Sequence, residues 1–443
     1  MIEVRSFGHV KADCSVSDIA VPTGGLSVPL VRAYAVLLVL TMQTVYVKLV
    51  TIRLDIILNA LLLIVGVLII LKNRNIRYSR HVLGVVALWV ILFVSIPLAH
   101  LVFLNNQGIN LPGLMLVTVL CSAVLVISTC VLLLRGIIRF LEDVSCVIFW
   151  LTAVTLVLYF IGQVFHLVHP TGTVTINWGG VRSIDSYFYL VFVPQGLPYH
   201  SFENGRFSGI FAEAPMCAFM LCFALIVMLF VSRKQIKPFR IAILIAAVYA
   251  TASTTGYIVA LFSVGMYAMQ KLMLNTRLRG LRFLLIGIIV PALVLIALAM
   301  YGDKLELDVG SVSVRSSNFA GALADFAESP IFGHGFKSDS IGLTGGNTSV
   351  YSNVIQQGGL LFAVWYFLPI AIALFRFAEM GKWRLCVAVV LYLVLLYSTV
   401  VTYTALSVTM IACFLVIAFA NRSESRTTSS QRNQRKYYAR ETQ

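Results

Sequence analysis

Apolar runs long enough to cross a bilayer core alternate with short polar segments along almost the whole chain. Continuous runs fall at 30–50, 54–71, 82–104, 112–134, 144–166, 210–231, 283–301 and 354–375. Two longer stretches, 241–271 and 385–420, carry a polar interruption: "TASTTG" at 251–256 and "TYT" at 402–404. Residues 241–271 have basic residues on both flanks, so they should enter and leave on one side and turn inside the membrane; 385–420 has the same character. Each reads as a hairpin of two short helices. The pattern predicts an all-α polytopic membrane protein with about 12 transmembrane helices, and about ten if each hairpin is a single tilted span. A transmembrane β-barrel would show short alternating strands in place of continuous runs.

Composition agrees: 59% of the 443 residues are hydrophobic and 12% charged, where a soluble protein carries about a quarter charged residues. The net charge of +15 changes the picture only through its distribution. Basic residues cluster between apolar runs, at 72–80, 135–139, 232–240, 275–282 and 376–384. That is the positive-inside pattern, facing anionic lipid headgroups, and it argues against a nucleic-acid partner. It divides the chain into a cytoplasmic segment 1–29, a membrane domain 30–420 and a basic cytoplasmic tail 421–443. It also puts two long segments, 167–209 and 302–353, on the outer face. Chemistry is therefore expected outside. All cysteines but Cys14 lie inside apolar runs and read as small apolar residues. No GxxxxGK[ST] loop is present, so a reaction here would draw its energy from an already activated substrate.

Three stretches carry candidate chemistry. In "GRFSGIFAEAP" (205–215), Pro215 suits the first turn of a helix and leaves Glu213 just outside its positive end. Arg206 precedes it, with Gly205 and Gly209 allowing the chain to bend. Two readings stay open: a salt bridge at the membrane lip, or a cation and a carboxylate offered to a substrate. In 314–336, apolar spacing from Phe319 to Phe326 predicts an amphipathic surface helix. Arg315 stands ahead of that helix, and "SPIFGHG" ends it with His334 between two glycines. In 345–361, Asn347, Tyr351, Asn353 and Gln356 suit sugar hydroxyls and serve equally well as helix caps. Arg182 and Asp185, three apart, can pair with one another.

These stretches together resemble the bacterial O-antigen and capsule polymerases (Wzy-type), within a superfamily shared with O-antigen ligases. The carrying residues are Arg206, Ser208, Gly209, Phe211 and Glu213, with Ala214 inserted before Pro215. Arg315 followed by Ser329-Pro330-Ile331-x-Gly333-x-Gly335-Phe336 and the earlier "AVYATASTTGYIVALF" match in order. The resemblance implies an inner-membrane glycosyltransferase working on the periplasmic face. It would join undecaprenyl-diphosphate-linked oligosaccharides, donor to acceptor, without cofactor or metal, and with a chain-length regulator as a partner protein. Arg206 and Arg315 would hold the diphosphate, Arg182 would be a third cation, and Glu213 the general base with His334 as the alternative. The ligase branch places a histidine where this chain has Thr348, which favours the polymerase. A lipid-linked sugar flippase or another transporter is the alternative from a different class.

Overall fold

A computed structural model describes residues 28–73, 79–103, 111–178, 180–194, 205–274, 295, 309–335 and 349–419. The tail 421–443, nearly all of 1–29 and, but for residue 295, the span expected at 283–301 lie outside the described residues.

The apolar runs fold as helices: α1 (Val28–Leu40), a short α2 (Val45–Lys48), α3 (Leu54–Lys72), α4 (Arg80–Phe103), α5 (Leu111–Arg135) and α6 (Ile137–Tyr159). After the loop that holds the sheet come α7 (Ala214–Ile226), α8 (Pro238–Ala250), α9 (Thr254–Leu274) and α10 (Val309–Glu328). The chain continues through α11 (Val350–Glu379), α12 (Trp383–Leu395) and α13 (Ala405–Phe419). Widened π turns extend α6 to Val164 and α7 to Val231. Among the described residues, six helices are long and apolar enough to cross a membrane and four shorter apolar helices accompany them. The result is an α-helical membrane bundle in which six helices, by length and composition, can cross a bilayer; the expected count of about twelve is not established by the described residues.

Both interrupted stretches turn where expected. Tyr257 donates its hydroxyl back to the Tyr249 carbonyl and the two rings stack, so α8 and α9 fold against each other around 251–253. The 396–404 break brings the end of α12 and the start of α13 to the same end of α11: Val350 N–H reaches Leu396 O and Asn353 reaches Thr402. One expected span does not run through. The 30–50 run breaks at 41–44, where Gln43 takes a left-handed φ of 49°.

Position, not hydropathy, sorts the helices. α7 is apolar on every face and buried all round, as such a helix must be in a protein core. α3 is as apolar, yet Ile56, Ile57, Leu61 and Ile64 stand exposed, as lipid-facing residues would.

The all-α expectation needs one correction. The 167–209 segment contains a three-stranded antiparallel sheet, order β1-β2-β3: Gly172–Asn177, Val181–Tyr187 and Val191–Val193. Its inner face packs Ile176, Ile184 and Phe192 against Val45 of α2. Gly162 lies so close to Tyr187 that a Cβ there would come within 2.6 Å of the ring. The sheet thus sits on the α1 break and the end of α6.

Candidate active site

The segment 205–213 leads into α7 through backbone contacts to every neighbour. Gly205 and Gly209 adopt left-handed φ of 75° and 54°, which supplies the expected bend. Phe207 N–H bonds Ala250 O at the end of α8, and Val45 N–H bonds Ile210 O. Ala212 N–H bonds Gln43 O, and Ser208 donates to Phe192 O at 2.7 Å. The 41–44 break, the end of α8 and strand β3 therefore meet at one point, the first turn of α7.

Glu213 occupies that point. It is the N-cap residue in extended backbone, and its side chain makes no capping hydrogen bond. Trp178, just beyond β1, offers the carboxyl its indole N–H. Burial pushes the Glu213 pKa up, against Trp178 and the electrostatic pull of Arg182, Arg206 and Arg315, which lower it. Lys48 joins the group: its ammonium lies 4.5 Å from the Trp178 ring centroid and interacts with Glu213. Burial drives the Lys48 pKa down to about 8, with Asp55 and Glu213 pulling it up.

Four cations from four elements thus act electrostatically on one carboxylate. None closes a contact ion pair with it, since the ion pairs among the described residues lie elsewhere. Among the described residues no ion pair joins Arg206 to Glu213, and Glu213, though the N-cap residue, makes no capping hydrogen bond to α7. Arg206 donates from Nε to Thr251 O and from Nη2 to Ala252 O, each at 2.9 Å. It thereby caps the carbonyl end of α8 and fixes the hairpin turn, where Ala252 has a left-handed φ of 48°.

Arg182 behaves differently. It lies on the inward face of β2 with Ile184, whereas Asp185 faces out, so the pairing of Arg182 with Asp185 does not form. Its Nε and Nη2 are buried without a hydrogen-bond partner, as is Oε1 of Gln43 on the neighbouring break. Buried guanidinium donors left unsatisfied are costly. On Arg182 two such donors lie beside Glu213.

Arg315 does not precede its helix. The helix starts at Val309, earlier than the apolar spacing suggests, and Arg315 stands in its second turn, half-buried. Arg315, Asn318, Ala322 and Asp325 line the inward face, while Val314, Phe319 and Leu323 are exposed. α10 is amphipathic, as expected, and presents Arg315 to the site.

The turn after α10 has a docking role that sequence reasoning missed. Gly359 breaks α11 with φ 56°, freeing backbone groups on both sides. The "SPIFGHG" turn satisfies them: Leu360 N–H bonds Pro330 O at 2.8 Å, and Leu361 N–H bonds Ile331 O at 3.2 Å. In return, His334 N–H bonds Gln356 O at 2.8 Å and Gly335 N–H bonds Gln357 O at 2.9 Å. A Cβ on Gly333 or on Gly359 would meet backbone atoms at 2.7 Å. Gln356 donates to Asp325 at 2.5 Å, and His100 of α4 holds the Phe332 carbonyl. These contacts clamp α10 to the bundle and so position Arg315.

The remaining expected residues are placed elsewhere. The His334 ring lies 3.5 Å from Glu328, on its own segment. Tyr351 donates to Leu393 O at 2.8 Å and stacks on Phe367. Asn353 is buried and bonds Thr402 at 2.9 Å. Tyr351 ties α11 to the end of α12, and Asn353 ties it to the 396–404 break. Asn347 lies outside the described residues.

Compared with known proteins, the chain matches no family model and no curated sequence. The site's own geometry therefore carries the functional reading.

Proposed function

We propose that this protein is a membrane glycosyltransferase that polymerises oligosaccharide units carried on undecaprenyl diphosphate into O-antigen or capsular polysaccharide. One observation carries the reading: Lys48, Arg182, Arg206 and Arg315 act electrostatically on one half-buried carboxyl, Glu213, and no ion pair among the described residues joins any of them to it. Beside that carboxyl, Arg182 keeps two buried donors without a hydrogen-bond partner. A diphosphate fills that deficit, because arginine binds phosphate oxygens in pairs and keeps its charge. The site lies at the mouth of a membrane-length helix, Ala214–Val231, where the diphosphate of a lipid-anchored donor would sit.

The acceptor hydroxyl attacks the donor's anomeric carbon as the bond from that carbon to the diphosphate oxygen breaks. The electron pair leaves with the lipid diphosphate, whose charge the cations stabilise in a partly dehydrated groove. Glu213 takes the hydroxyl proton; its raised pKa makes it a stronger base than an exposed glutamate. The positive-inside pattern supports placing this end on the periplasmic face of a bacterial inner membrane.

Transport of a lipid-linked sugar is the second reading, favoured by helices broken at 41–44 and 251–253 beside a charged site. Its location at the end of α7, not midway along it, weighs for catalysis. The test is single replacement of Glu213, Arg182 and Arg315 by Ala in the native host, with membrane levels confirmed and surface polysaccharide run on a gel. A polymerase defect leaves single units attached to the cell surface, whereas a transport defect leaves none. Normal ladders from all three variants would sink the site.

A further inference from the structure

At the end of the bundle away from Glu213, a groove of about 900 Å³ opens between α1, α6, α8 and the 232–237 connection. Its walls are apolar, with Val36, Leu40, Trp150, Leu151 and Val154 among them. Along α6 it runs from Glu142 to Val154, about 18 Å of helix at 1.5 Å per residue, close to one leaflet's hydrocarbon depth of about 15 Å. Its mouth is ionic. The two carboxylates there are satisfied: Glu142 accepts from Ser232, Arg233 N–H and Lys234, and Asp143 accepts from Arg135 at 2.8 Å. Three further cations line the groove without an acidic partner among the described residues: Arg32, Lys237 and Arg240. Nε of Arg240 is buried with no hydrogen-bond partner, and its guanidinium sits 5.1 Å from the Phe149 ring centroid. Lys237 is the N-cap residue of α8, without a side-chain capping bond, and the helix dipole adds positive character to the same mouth.

We propose that this groove binds an anionic phospholipid, with its phosphate held by Lys237 and Arg240 and one acyl chain lying along α6 toward Val154. Charge complementarity selects the headgroup, and the depth and apolar lining select a chain over a soluble anion. The proposal stands independently of the glycosyltransferase reading, with the headgroup at the end of α7 opposite Glu213. A resident lipid here would brace α8, whose far end carries the hairpin turn that Arg206 caps.

The test uses purified full-length protein in detergent, titrated with phosphatidylglycerol or with phosphatidylcholine of the same chain length. Melting temperature and native mass spectrometry are the readouts. Phosphatidylglycerol is expected to raise the melting temperature and remain bound, because a ligand of the folded state stabilises it. Phosphatidylcholine and water-soluble glycerol phosphate at equal concentration are expected to do neither. The double variant Lys237→Gln/Arg240→Gln should weaken the response at least tenfold, and Leu151→Trp, which fills the groove, should remove it. Arg182→Ala, at the other end, should leave it intact. If the double variant does not fold, Lys237→Gln alone, on an exposed side chain, should weaken binding at least threefold. Equal responses to phosphatidylcholine or glycerol phosphate, an undiminished response in the Lys237 variant, or its loss in Arg182→Ala would overturn the proposal.

Discussion

At the scale of single residues, the site separates a cation that holds the fold from one whose donors are left without a partner. Arg206 spends Nε and Nη2 on the carbonyls of Thr251 and Ala252. Its replacement by Ala should therefore lower the melting temperature as well as activity. Arg182→Ala should leave melting nearly unchanged while activity falls roughly 10²-fold, the cost of removing one donor to a leaving oxyanion. Equal melting shifts in the two variants would contradict this division. Lys48 adds a pH signature. Its pKa of about 8 means its charge is lost as pH rises through that value, so anion stabilisation should fade on an alkaline limb near pH 8. Lys48→Arg keeps the charge and should move that limb upward; a limb that stays in place would show that Lys48 does not report on the site. Glu213 sets the other side. A base must be ionised, and burial raises its pKa, so the acid limb should lie above that of an exposed glutamate and disappear in Glu213→Gln.

At the scale of elements, the account rests on breaks. Local signals made several legible in the sequence. Pro215 marked the first turn of α7, Gly205 and Gly209 the bend before it, and "TASTTG" and "TYT" the hairpin turns. Each depends on residues close in sequence, which is why pattern reading reaches them. The sheet left a weaker trace: "GTVTIN" and "VRSIDSY" alternate around Gly179 and Gly180, the mark of a hairpin. Lys48 left none, because its place beside Trp178 and Glu213 arises from contacts between residues more than a hundred positions apart. The glycines of "SPIFGHG" were visible as a turn, but their purpose depends on the matching break at Gly359. Gly333→Ala forces a Cβ to within 2.7 Å of backbone and strains a φ of 67°. It should cost about 2–4 kcal/mol of stability and lower activity by releasing α10 and Arg315. An unchanged melting temperature would refute the clamp.

At the scale of the molecule, polarity follows from charge. The basic 232–240 connection lies at one end of α7 and the Glu213 site at the other. Positive-inside orientation then predicts that a cysteine introduced at the exposed Val181 reacts with an impermeant thiol reagent from the periplasm. One at exposed Lys237 should react only after the inner membrane is opened. The reverse labelling would invert the assignment of the site. The central claim is that the cation-ringed carboxyl joins sugars by expelling a lipid diphosphate, and reconstitution tests it most directly. Purified protein is supplied with undecaprenyl-diphosphate-linked oligosaccharide units in liposomes, and glycan length and released lipid diphosphate are measured. The account predicts chain growth with one lipid diphosphate released per unit added, undiminished by EDTA and reduced at least 10²-fold in Glu213→Gln. Undiminished growth in that variant, or lipid-linked units that cross the bilayer without lengthening, would contradict it.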